Sequence, residues 1–377
     1  MARRRLLTIA HSYVVALNRR LASEMARQGA WEVVAAAPRS YAGDLGPIAL
    51  EQDGQDDCRL VPVDVRRSRW PHVMGYGSDL RSLLDGPWDV VHCWEEPYVL
   101  AADQIARWAP RSATLVFATF QNIPKRYPFP FGWFERRAME RADGWIAFGR
   151  TIQTALESRP GYAGRPHRVI PPGVDLQVFR PDAAARRAVH VKLGWPADDT
   201  PVVGFLGRFV PEKGLSLLTA ALDDVRQPWR ALFVGGGPLE SELGSWAARY
   251  GDRVRIASGV RHADVPAHLN AMDLLCAPSQ TTARWREQFG RMLVEAFACG
   301  VPVLASESGE IPHVVNGSGV LLPETDVAAW SSAISSMLGD GARRAELSAA
   351  GRARAELYAW PRVAAEHLVF FEGLRNQ

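Results

Sequence analysis

Short runs of apolar residues alternate along the chain with longer stretches whose apolar positions recur every three or four residues. In the first half, the apolar runs predict strands at Leu6–Ala10, Glu32–Ala37, Val90–Trp94 and Leu115–Thr119. A segment of helical length follows each run, as at Leu17–Gln28. Because strands alternate with helices, the pattern predicts βαβ units and a parallel sheet.

The same alternation of apolar runs and helix-length segments resumes after residue 200. Further strands are predicted at Val202–Leu206, Ala231–Val234, Val254–Ile256, Leu274–Ala277 and Val301–Leu304. Helices are predicted at Leu215–Ala221, Leu239–Arg249, Gly290–Ala298, Val327–Leu338 and Arg343–Ala355. A Pro-Pro-Gly turn within Ile170–Asp175 separates the two series. We therefore expect an α/β chain of two doubly wound, Rossmann-like parallel-sheet domains facing a central cleft, with ligands at the carboxyl ends of strands.

Composition narrows the class of protein. A length of 377 residues suits two domains, and a net charge of +3 is too slight to indicate a nucleic-acid partner. No apolar run approaches the roughly 18 residues of a membrane span, and His11-Ser12 interrupts the apolar start before it reaches signal-peptide length. The cysteines show no paired spacing, which argues against zinc or disulfides and predicts a cytoplasmic protein: Cys58, Cys93, Cys276 and Cys299.

Two cations stand where a strand gives way to a helix, in the segment Gly204–Gly214. Arg208 follows the predicted strand, and Lys213 precedes the helix. A helix N-terminus offers partial positive charge and N–H groups, and arginine adds a bidentate fork. Because the chain has three lysines among its 44 basic residues, we favour a diphosphate site here over a solvated loop.

Two carboxylates lie eight residues apart, at Glu287 and Glu295. With a helix beginning near Gly290, Glu287 lies in the preceding loop and Glu295 lies inside the helix among apolar residues. Burying a carboxylate among apolar residues costs free energy unless it has a hydrogen-bond partner, and ribose hydroxyls would be suitable partners. The first amides of the helix form a second anion site. An amphipathic helix with one exposed glutamate explains the segment equally well.

A third segment, Ala231–Glu240, predicts a buried strand, a turn of three glycines and a helix start. The turn lacks the last glycine of the GxGxxG fingerprint, which argues against a nicotinamide cofactor. Taken alone, it indicates a place where two stretches of backbone approach closely.

Taken in order, these segments resemble the retaining glycosyltransferases of family 4, which have the GT-B fold. The similarity rests on Gly207-Arg208, Glu212-Lys213-Gly214, Gly235-Gly-Gly-Pro238, Pro278-Ser279 and Glu287 with Glu295. It is strongest over residues 200–325 and extends to the turn at 170–175 and to Trp360. The resemblance implies an acceptor-side domain at 1–172, completed by a C-terminal helix at 358–377, and a donor-binding domain at 173–357.

The family's roles carry over to matching positions. Arg208 and Lys213 would hold the donor diphosphate and Glu287 would bind hydroxyls of the donor sugar, which makes these three the expected catalytic residues. Glu295 would bind the ribose, and the base would lie against the loop 258–261. The other expected donor contacts are Gly207, Gly235, Gly236, Val260, Arg261, Phe289, Gly290, Arg291, Met292 and Leu293.

The N-terminal half departs from the family pattern in two loops. The loop His11–Asn18 has no glycine pair, and Phe120-Gln-Asn122 follows a strand where many relatives carry a histidine. The remaining acceptor-side candidates are His11, His92, Glu96 and Asn122, with Glu95 beside them. A histidine packed at a strand end and two solvated acids would explain the same residues.

Residues 125–141 mix aromatic side chains with arginines. The segment could rest on an anionic membrane surface or face a lipid-linked acceptor. We favour a helix that packs Trp133 and Phe134 inward and keeps its arginines in water, because Glu135 and Glu140 interrupt the run of positive charge.

The resulting hypothesis is a retaining hexosyltransferase that moves a sugar from a nucleoside-diphosphate sugar, with UDP-glucose as the family-level guess, to an acceptor hydroxyl in glycan, polysaccharide or glycoconjugate biosynthesis. The resemblance implies attack from the leaving-group face, with the phosphate taking the acceptor's proton. It implies no metal and no cofactor, because the sugar nucleotide is a substrate. We expect a glycan, small-molecule or lipid-linked acceptor, no nucleic acid, and at most peripheral contact with the inner face of the membrane.

Two other functions fit the same residues. A sugar-nucleotide epimerase or hydrolase on a similar fold would turn over without an acceptor. A non-catalytic subunit would bind the nucleotide sugar without turnover; the intact pairs Arg208 with Lys213 and Glu287 with Glu295 argue against it, whereas the altered first loop leaves it open.

Overall fold

The computed structural model describes residues 3–43, 46–52, 54 and 56–376. The chain divides into two compact units. The first unit comprises Met1–Gly173 and Trp360–Gln377, and the second comprises Val174–Ala359. Each unit is built on a parallel sheet with hydrophobic residues packed on it, so the prediction of two Rossmann-like parallel-sheet domains is confirmed.

The strands of the first unit form one large parallel sheet and two small antiparallel ladders. Its strands are β1 (Arg4–Ile9), β2 (Trp31–Pro38), β3 (Ser40–Gly43), β4 (Gly46–Ala49), β5 (Arg59–Val63), β6 (Val65–Arg66), β7 (Gly75–Tyr76), β8 (Val90–Cys93), β9 (Thr114–Thr119), β10 (Gly144–Ala147) and β11 (His167–Val169). The main sheet runs β11-β10-β9-β8-β1-β2-β5, with parallel pairing throughout. β3 with β4 and β6 with β7 form small antiparallel ladders. The central strands are continuous apolar runs because helices cover both faces of the sheet.

The helices of the first unit include α1 (Arg20–Arg27), α2 (Ser78–Leu84), α3 (Leu100–Trp108), α4 (Phe131–Arg141) and α5 (Arg150–Leu156). The helix predicted from Leu17 begins at Arg20 because Ala16–Arg19 forms a 3₁₀ turn. Arg19 holds this turn from the interior: its guanidinium donates to the carbonyl oxygens of Tyr13 and Glu51 at 2.6 and 2.7 Å.

The second unit has a clear change of winding direction. Its strands are β12 (Val202–Arg208), β13 (Arg230–Gly236), β14 (Val254–Ala257), β15 (Leu274–Ala277), β16 (Val303–Ser306) and β17 (Val320–Leu322). They pair in parallel in the order β14-β13-β12-β15-β16-β17. The chain winds outward from β12 in one direction and then from β15 in the other. Ligands of such sheets bind at this switch point.

The remaining helices complete both units. Those of the second unit are α6 (Ala183–Lys192), α7 (Leu215–Asp223), α8 (Glu240–Ala248), α9 (Val265–Asn270), α10 (Arg291–Ala298), α11 (Ile311–Val315), α12 (Val327–Gly339) and α13 (Gly341–Ala355), and α14 (Trp360–Arg375) belongs to the first. At the ends of the second unit, Val174 and Ala359 form a parallel β-bridge. No helix in the described part of the chain is long and apolar enough to cross a membrane.

Candidate active site

The switch point of the second unit brings two loops together. β12 pairs directly with β15, so the loops at their carboxyl ends are neighbours. Gly214, which opens α7, has a φ of 71°, and a Cβ there would lie 1.8 Å from the carbonyl oxygen of Pro278, just after β15. Glycine is therefore required for this approach, which places Lys213 beside the β15 loop.

Lys213 and Glu287 meet in this place. The Lys213 Nζ donates to Glu287 Oε2 at 2.5 Å, and the Ser279 hydroxyl donates to the same oxygen at 2.8 Å. Glu287 is buried, and the ammonium lies 5.2 Å from the centre of the Trp285 ring. The structure thus joins two sequence-predicted residues that are 74 positions apart and adds Ser279 and Trp285 to them.

The backbone of Glu287 is fixed by the segment that follows β16. The amide of Glu310 donates to the carbonyl oxygen of Glu287 at 3.0 Å. Gly309 has a φ of 55°, and a Cβ at this position would lie 2.1 Å from the same oxygen. The Ser306 hydroxyl in turn donates to the carbonyl oxygen of Ser279 at 2.5 Å. These contacts hold the main chain of Glu287 and that of Ser279 in place.

The second glutamate lies one turn into α10, which begins after Gly290 with a φ of 80°. Glu295 is buried, and its Oε1 lies 3.3 Å from Nε2 of His262, whose ring packs 5.6 Å from that of Phe179. The contact of His262 with Glu295 was not predicted, because a contact across 33 residues leaves no mark in local spacing.

The other predicted donor contacts differ in their surroundings. The Arg208 guanidinium is exposed and forms no ion pair or hydrogen bond with the described residues. A Cβ on Gly235 would lie 1.9 Å from the carbonyl oxygen of Gly207, so β12 and β13 pack closely there. A Cβ on Gly236 would make only an ordinary contact, 3.8 Å from Glu240 Oε2. Arg261 is exposed and paired with Asp264 at 2.9 Å. At the start of α10, Phe289, Gly290 and Leu293 are buried, Met292 is half-buried like Val260, and Arg291 is exposed.

In the first unit, His11 and Glu95 meet at the carboxyl ends of β1 and β8. One Glu95 oxygen accepts from the backbone N–H of His11 and from the Tyr76 hydroxyl, both at 2.6 Å, and the other lies 2.6 Å from His11 Nδ1. Burial opposes ionisation of Glu95, but the charge and hydrogen bonds of His11 outweigh it and lower the pKa of Glu95. Burial likewise opposes the charge on His11, yet Glu95 raises the pKa of His11.

Glu96 occupies a separate position beside the same edge. It accepts from the Thr119 hydroxyl at 2.6 Å and from the Phe120 amide at 2.8 Å, at the end of β9. Desolvation raises the pKa of Glu96 to about 7. Asn122, two residues further along, is buried.

His92 does not belong to this group. Its side chain is fully buried, with its ring 5.2 Å from Phe371 and 5.5 Å from His367 of α14. The Trp94 indole donates to His92 Nδ1 at 3.1 Å, and burial lowers the pKa of His92. The prediction of His92 as an acceptor contact is therefore wrong: it is a core histidine.

The structure of residues 125–141 differs in part from the interpretation of their sequence. Phe134 is buried, but Trp133 is 38% exposed and carries the Arg137 guanidinium 3.9 Å from its ring. Glu135 is buried rather than solvated, and Arg159 donates to it at 2.7 Å. A cavity of about 890 Å³ opens beside α4, lined in part by residues 124–127 and 158–161.

The described residues include no cluster of three or more side chains that could hold a metal ion. The site chemistry visible in the second unit is instead an ammonium beside a carboxylate, with a second carboxylate inside α10. An ammonium can bind a negatively charged phosphate, and carboxylates can accept hydrogen bonds from sugar hydroxyls.

Two family models together cover most of the chain. The model for glycosyl transferases group 1 matches residues 188–354, and that for glycosyltransferase family 4 matches residues 14–178.

Two curated relatives illustrate the similarity. A D-inositol 3-phosphate glycosyltransferase from Xylanimonas cellulosilytica is 32% identical over 295 residues, which are 74% of this chain and 67% of the relative. A GDP-mannose-dependent alpha-(1-6)-phosphatidylinositol monomannoside mannosyltransferase from Mycolicibacterium smegmatis is 38% identical over 192 residues, which are 48% of this chain and 50% of the relative. The alignments thus span between half and two thirds of these relatives.

Solved structures agree over nearly the whole chain. Sucrose-phosphate synthase from Thermosynechococcus elongatus has a TM-score of 0.75 at 22% identity and covers 99% of both chains. Anabaena HepE, solved in complex with UDP, has a TM-score of 0.74 at 18% identity and covers 99% of this chain and 100% of its own. At these sequence identities, the similarity shows a shared fold and nothing further.

Proposed function

Because this chain belongs to glycosyltransferase family 4 and has the GT-B fold, we propose that it is a retaining hexosyltransferase acting on a nucleoside-diphosphate sugar and an acceptor hydroxyl. The observation that supports this most is the pairing of Lys213 with Glu287 at the switch point of the second unit. A cation beside a buried carboxylate is the arrangement we expect of a site that stabilises the leaving diphosphate and binds the donor sugar.

The proposed donor site uses each part of this arrangement differently. Lys213 leaves Glu287 for the diphosphate as the leaving group gains charge, and Arg208 and the N-terminus of α10 add further positive potential. Glu287 is then free to accept hydrogen bonds from the donor sugar, and Glu295 accepts from the ribose. Because cations and a helix N-terminus meet the phosphate charge, the proposed reaction is metal-independent and needs no cofactor.

Two donors follow from different observations. UDP-glucose is the family-level expectation of the sequence motifs. GDP-mannose is the second candidate, because the M. smegmatis relative is named as dependent on it. The loop 258–261 would receive either base.

The proposed acceptor binds at the carboxyl edge of the sheet in the first unit, where His11, Glu96 and Asn122 lie at strand ends. Both relatives are named for acceptors that contain inositol, one soluble and one lipid-linked. We therefore propose an inositol-bearing acceptor and a place in glycoconjugate biosynthesis at the inner face of the membrane.

The test begins with thermal shift of the whole protein with UDP-glucose and GDP-mannose. A donor at 100 times its Kd stabilises the folded state by about 2.7 kcal/mol. Transfer to D-inositol 3-phosphate or to micellar phosphatidylinositol is then measured in the presence of chelator, and proton NMR of the product reads the anomeric coupling. We expect an α-linked product from an α-linked donor.

Each alternative function has its own outcome in this test. A β-linked product would refute retention, and loss of activity in chelator would refute metal independence. Release of free sugar at the same rate without acceptor would identify a hydrolase, and conversion of the donor into a second sugar nucleotide without acceptor would identify an epimerase. Binding without any turnover would identify a non-catalytic subunit.

A further inference from the structure

Two segments that are far apart in the sequence meet on the first unit, at residues 66–73 and 125–137. The ring of His72 in the first segment lies 5.7 Å from that of Phe131, where α4 begins in the second segment. Because the two segments are in contact here, their exposed side chains border on one another and form one surface.

Large aromatic rings on this surface are left in water. Phe129 is 86% exposed, Trp70 is 62% exposed and Trp133 is 38% exposed, although rings of this size are usually buried. Their main chain is nevertheless held. The Trp70 amide donates to the carbonyl oxygen of Arg67 at 2.9 Å, and the Trp133 amide donates to that of Pro130 at 3.0 Å. Rings exposed on an ordered main chain are suited to enter the interface of a membrane.

Cations accompany these rings and have no partners of their own. Five exposed cations form no side-chain hydrogen bond or ion pair with the described residues: Arg66, Arg67, Arg69, Lys125 and Arg126. The acids of the second segment are compensated, because Glu135 is buried and accepts from Arg159 at 2.7 Å. Just beyond it, Glu140 lies 4.0 Å from Arg136. The surface therefore carries a net positive charge.

We propose that this surface docks the protein on a bilayer of anionic phospholipid. The rings would enter the headgroup region, and the cations would meet the negative potential of the bilayer surface. The proposal rests on the proposed function for the reason why the protein would meet a membrane. Single-stranded nucleic acid also binds rings and cations, but a net charge of +3 on the chain is slight for such a partner.

The docking surface borders the edge at which the acceptor is proposed to bind. The ring of His72 also lies 5.7 Å from that of Tyr98, which stacks on Tyr127 at 4.1 Å. Tyr98 comes two residues after Glu96, whose carboxylate accepts from the Thr119 hydroxyl at the end of β9. A lipid held at this surface would therefore present its headgroup near the carboxyl edge of the sheet.

The first test is sedimentation of the whole protein with vesicles. We expect it to bind phosphatidylcholine vesicles that contain about one third phosphatidylglycerol, and to bind vesicles of phosphatidylcholine alone only weakly. Binding should weaken as salt rises from about 0.1 M to about 0.5 M, because added ions screen exposed charges. Equal binding to both kinds of vesicle, or binding to neither, would overturn the proposal.

The second test removes charge from the docking surface. One variant combines Arg66→Gln, Arg67→Gln and Arg69→Gln. Each cation near an anionic bilayer changes partition roughly fivefold, so this variant should bind about 10²-fold more weakly. Its thermal midpoint should stay at the wild-type value, because these side chains have no partners among the described residues.

The matched control removes the same charge from exposed arginines of the second unit. It combines Arg187→Gln, Arg226→Gln and Arg352→Gln. This control should bind anionic vesicles as the wild-type protein does. Equal losses in the two triple variants would assign binding to the net charge of the chain and overturn the proposal.

The third test asks whether an exposed ring of the surface enters the bilayer. A fluorophore that reports polarity is attached to Phe129→Cys; the native cysteines are buried, so the new thiol takes the label. Its emission should shift to the blue with anionic vesicles. The control is Val369→Cys on α14 of the same unit, because Val369 is 60% exposed but stands between Glu366 and Glu372. No shift at position 129, or an equal shift at position 369, would overturn the proposal.

Transfer assays separate this surface from the proposed function. With soluble D-inositol 3-phosphate as acceptor, the Arg66, Arg67 and Arg69 variant should keep the wild-type rate while its vesicle binding is lost. Absence of transfer by the wild-type protein with vesicle binding intact would overturn the proposed function alone. Binding of single-stranded DNA without binding of anionic vesicles would assign the surface to nucleic acid and overturn the docking proposal.

Discussion

At the scale of single residues, the ammonium of Lys213 has two neighbours, the Glu287 carboxylate and the Trp285 ring. Lys213→Ala should lower kcat by about 10²–10³-fold, the usual cost of one lost electrostatic contact in the transition state. Lys213→Arg should restore part of the rate, because a planar fork cannot replace a compact ammonium. Steady-state kinetics measures both, and Lys192→Ala, at an exposed lysine of α6, is the control. Wild-type rates in Lys213→Ala would exclude the diphosphate role.

Substitutions of the two buried glutamates should impair different steps, nucleotide binding in one case and sugar transfer in the other. Glu295→Gln should weaken binding of the free nucleoside diphosphate and of the sugar nucleotide, because its proposed ligand is the ribose. Glu287→Gln should spare the nucleotide and impair transfer, because its proposed ligand is the sugar. Calorimetry with the nucleotide alone distinguishes them. Lost affinity in Glu287→Gln with normal affinity in Glu295→Gln would reverse the two roles.

At the scale of elements, the donor loops depend on glycines at fixed places. Gly214→Ala sets a Cβ 1.8 Å from the Pro278 carbonyl oxygen and keeps a φ of 71°. We expect the free energy of unfolding to fall by about 1–3 kcal/mol and nucleotide affinity to fall with it, since the shift moves Lys213. Gly244→Ala, inside α8 with nothing within 4 Å of the new Cβ, should instead stabilise by about 0.5–1 kcal/mol. Chemical unfolding compares the pair, and equal effects would contradict this account.

Elements with strong apolar periodicity could be predicted from the sequence. β15 lies at Leu274–Ala277 as predicted, and α10 begins one residue after its predicted start. β11, with the sequence His-Arg-Val, could not be predicted, because pairing with β10 rather than local pattern makes it a strand. The strand expected at Val301–Leu304 begins at Val303, after Pro302.

Some residues of the candidate site could be predicted from the sequence, and others could not. Lys213 and Glu287 were predicted because their motif keeps a fixed order along the chain. Tyr76 and His262 were not, since each meets its glutamate across 19 or 33 residues through tertiary packing. The acceptor role expected for His92 was wrong, because a short apolar run marks a strand but does not show which of its side chains another helix covers.

At the scale of the molecule, two buried histidines tie the stability of the first unit to pH. His92 and His367 pack ring to ring at 5.5 Å, and burial lowers the pKa of His367 to about 4. The unfolded chain takes up a proton near its ordinary value of 6.5, so stability is full above that pH and is lost as pH falls towards 4. Between about pH 7.5 and pH 5 this loss is about 2 kcal/mol for His367.

His367→Leu should remove that part of the pH dependence. Chemical unfolding at the two pH values measures the difference between wild type and variant. His313→Leu, at an exposed histidine of α11, should keep the wild-type dependence. An unchanged difference in His367→Leu would show that other groups govern acid unfolding.

The β-bridge between Val174 and Ala359 joins the two ends of the second unit. A segment whose ends are neighbours can be replaced by another of different length without stretching the host on either side. We therefore expect residues 174–359 to be exchangeable as one segment. Under the proposed function, recombination at these two points would exchange the sugar donor in a single event and leave the acceptor half intact, and chimeras with relatives should be joined at the same two junctions.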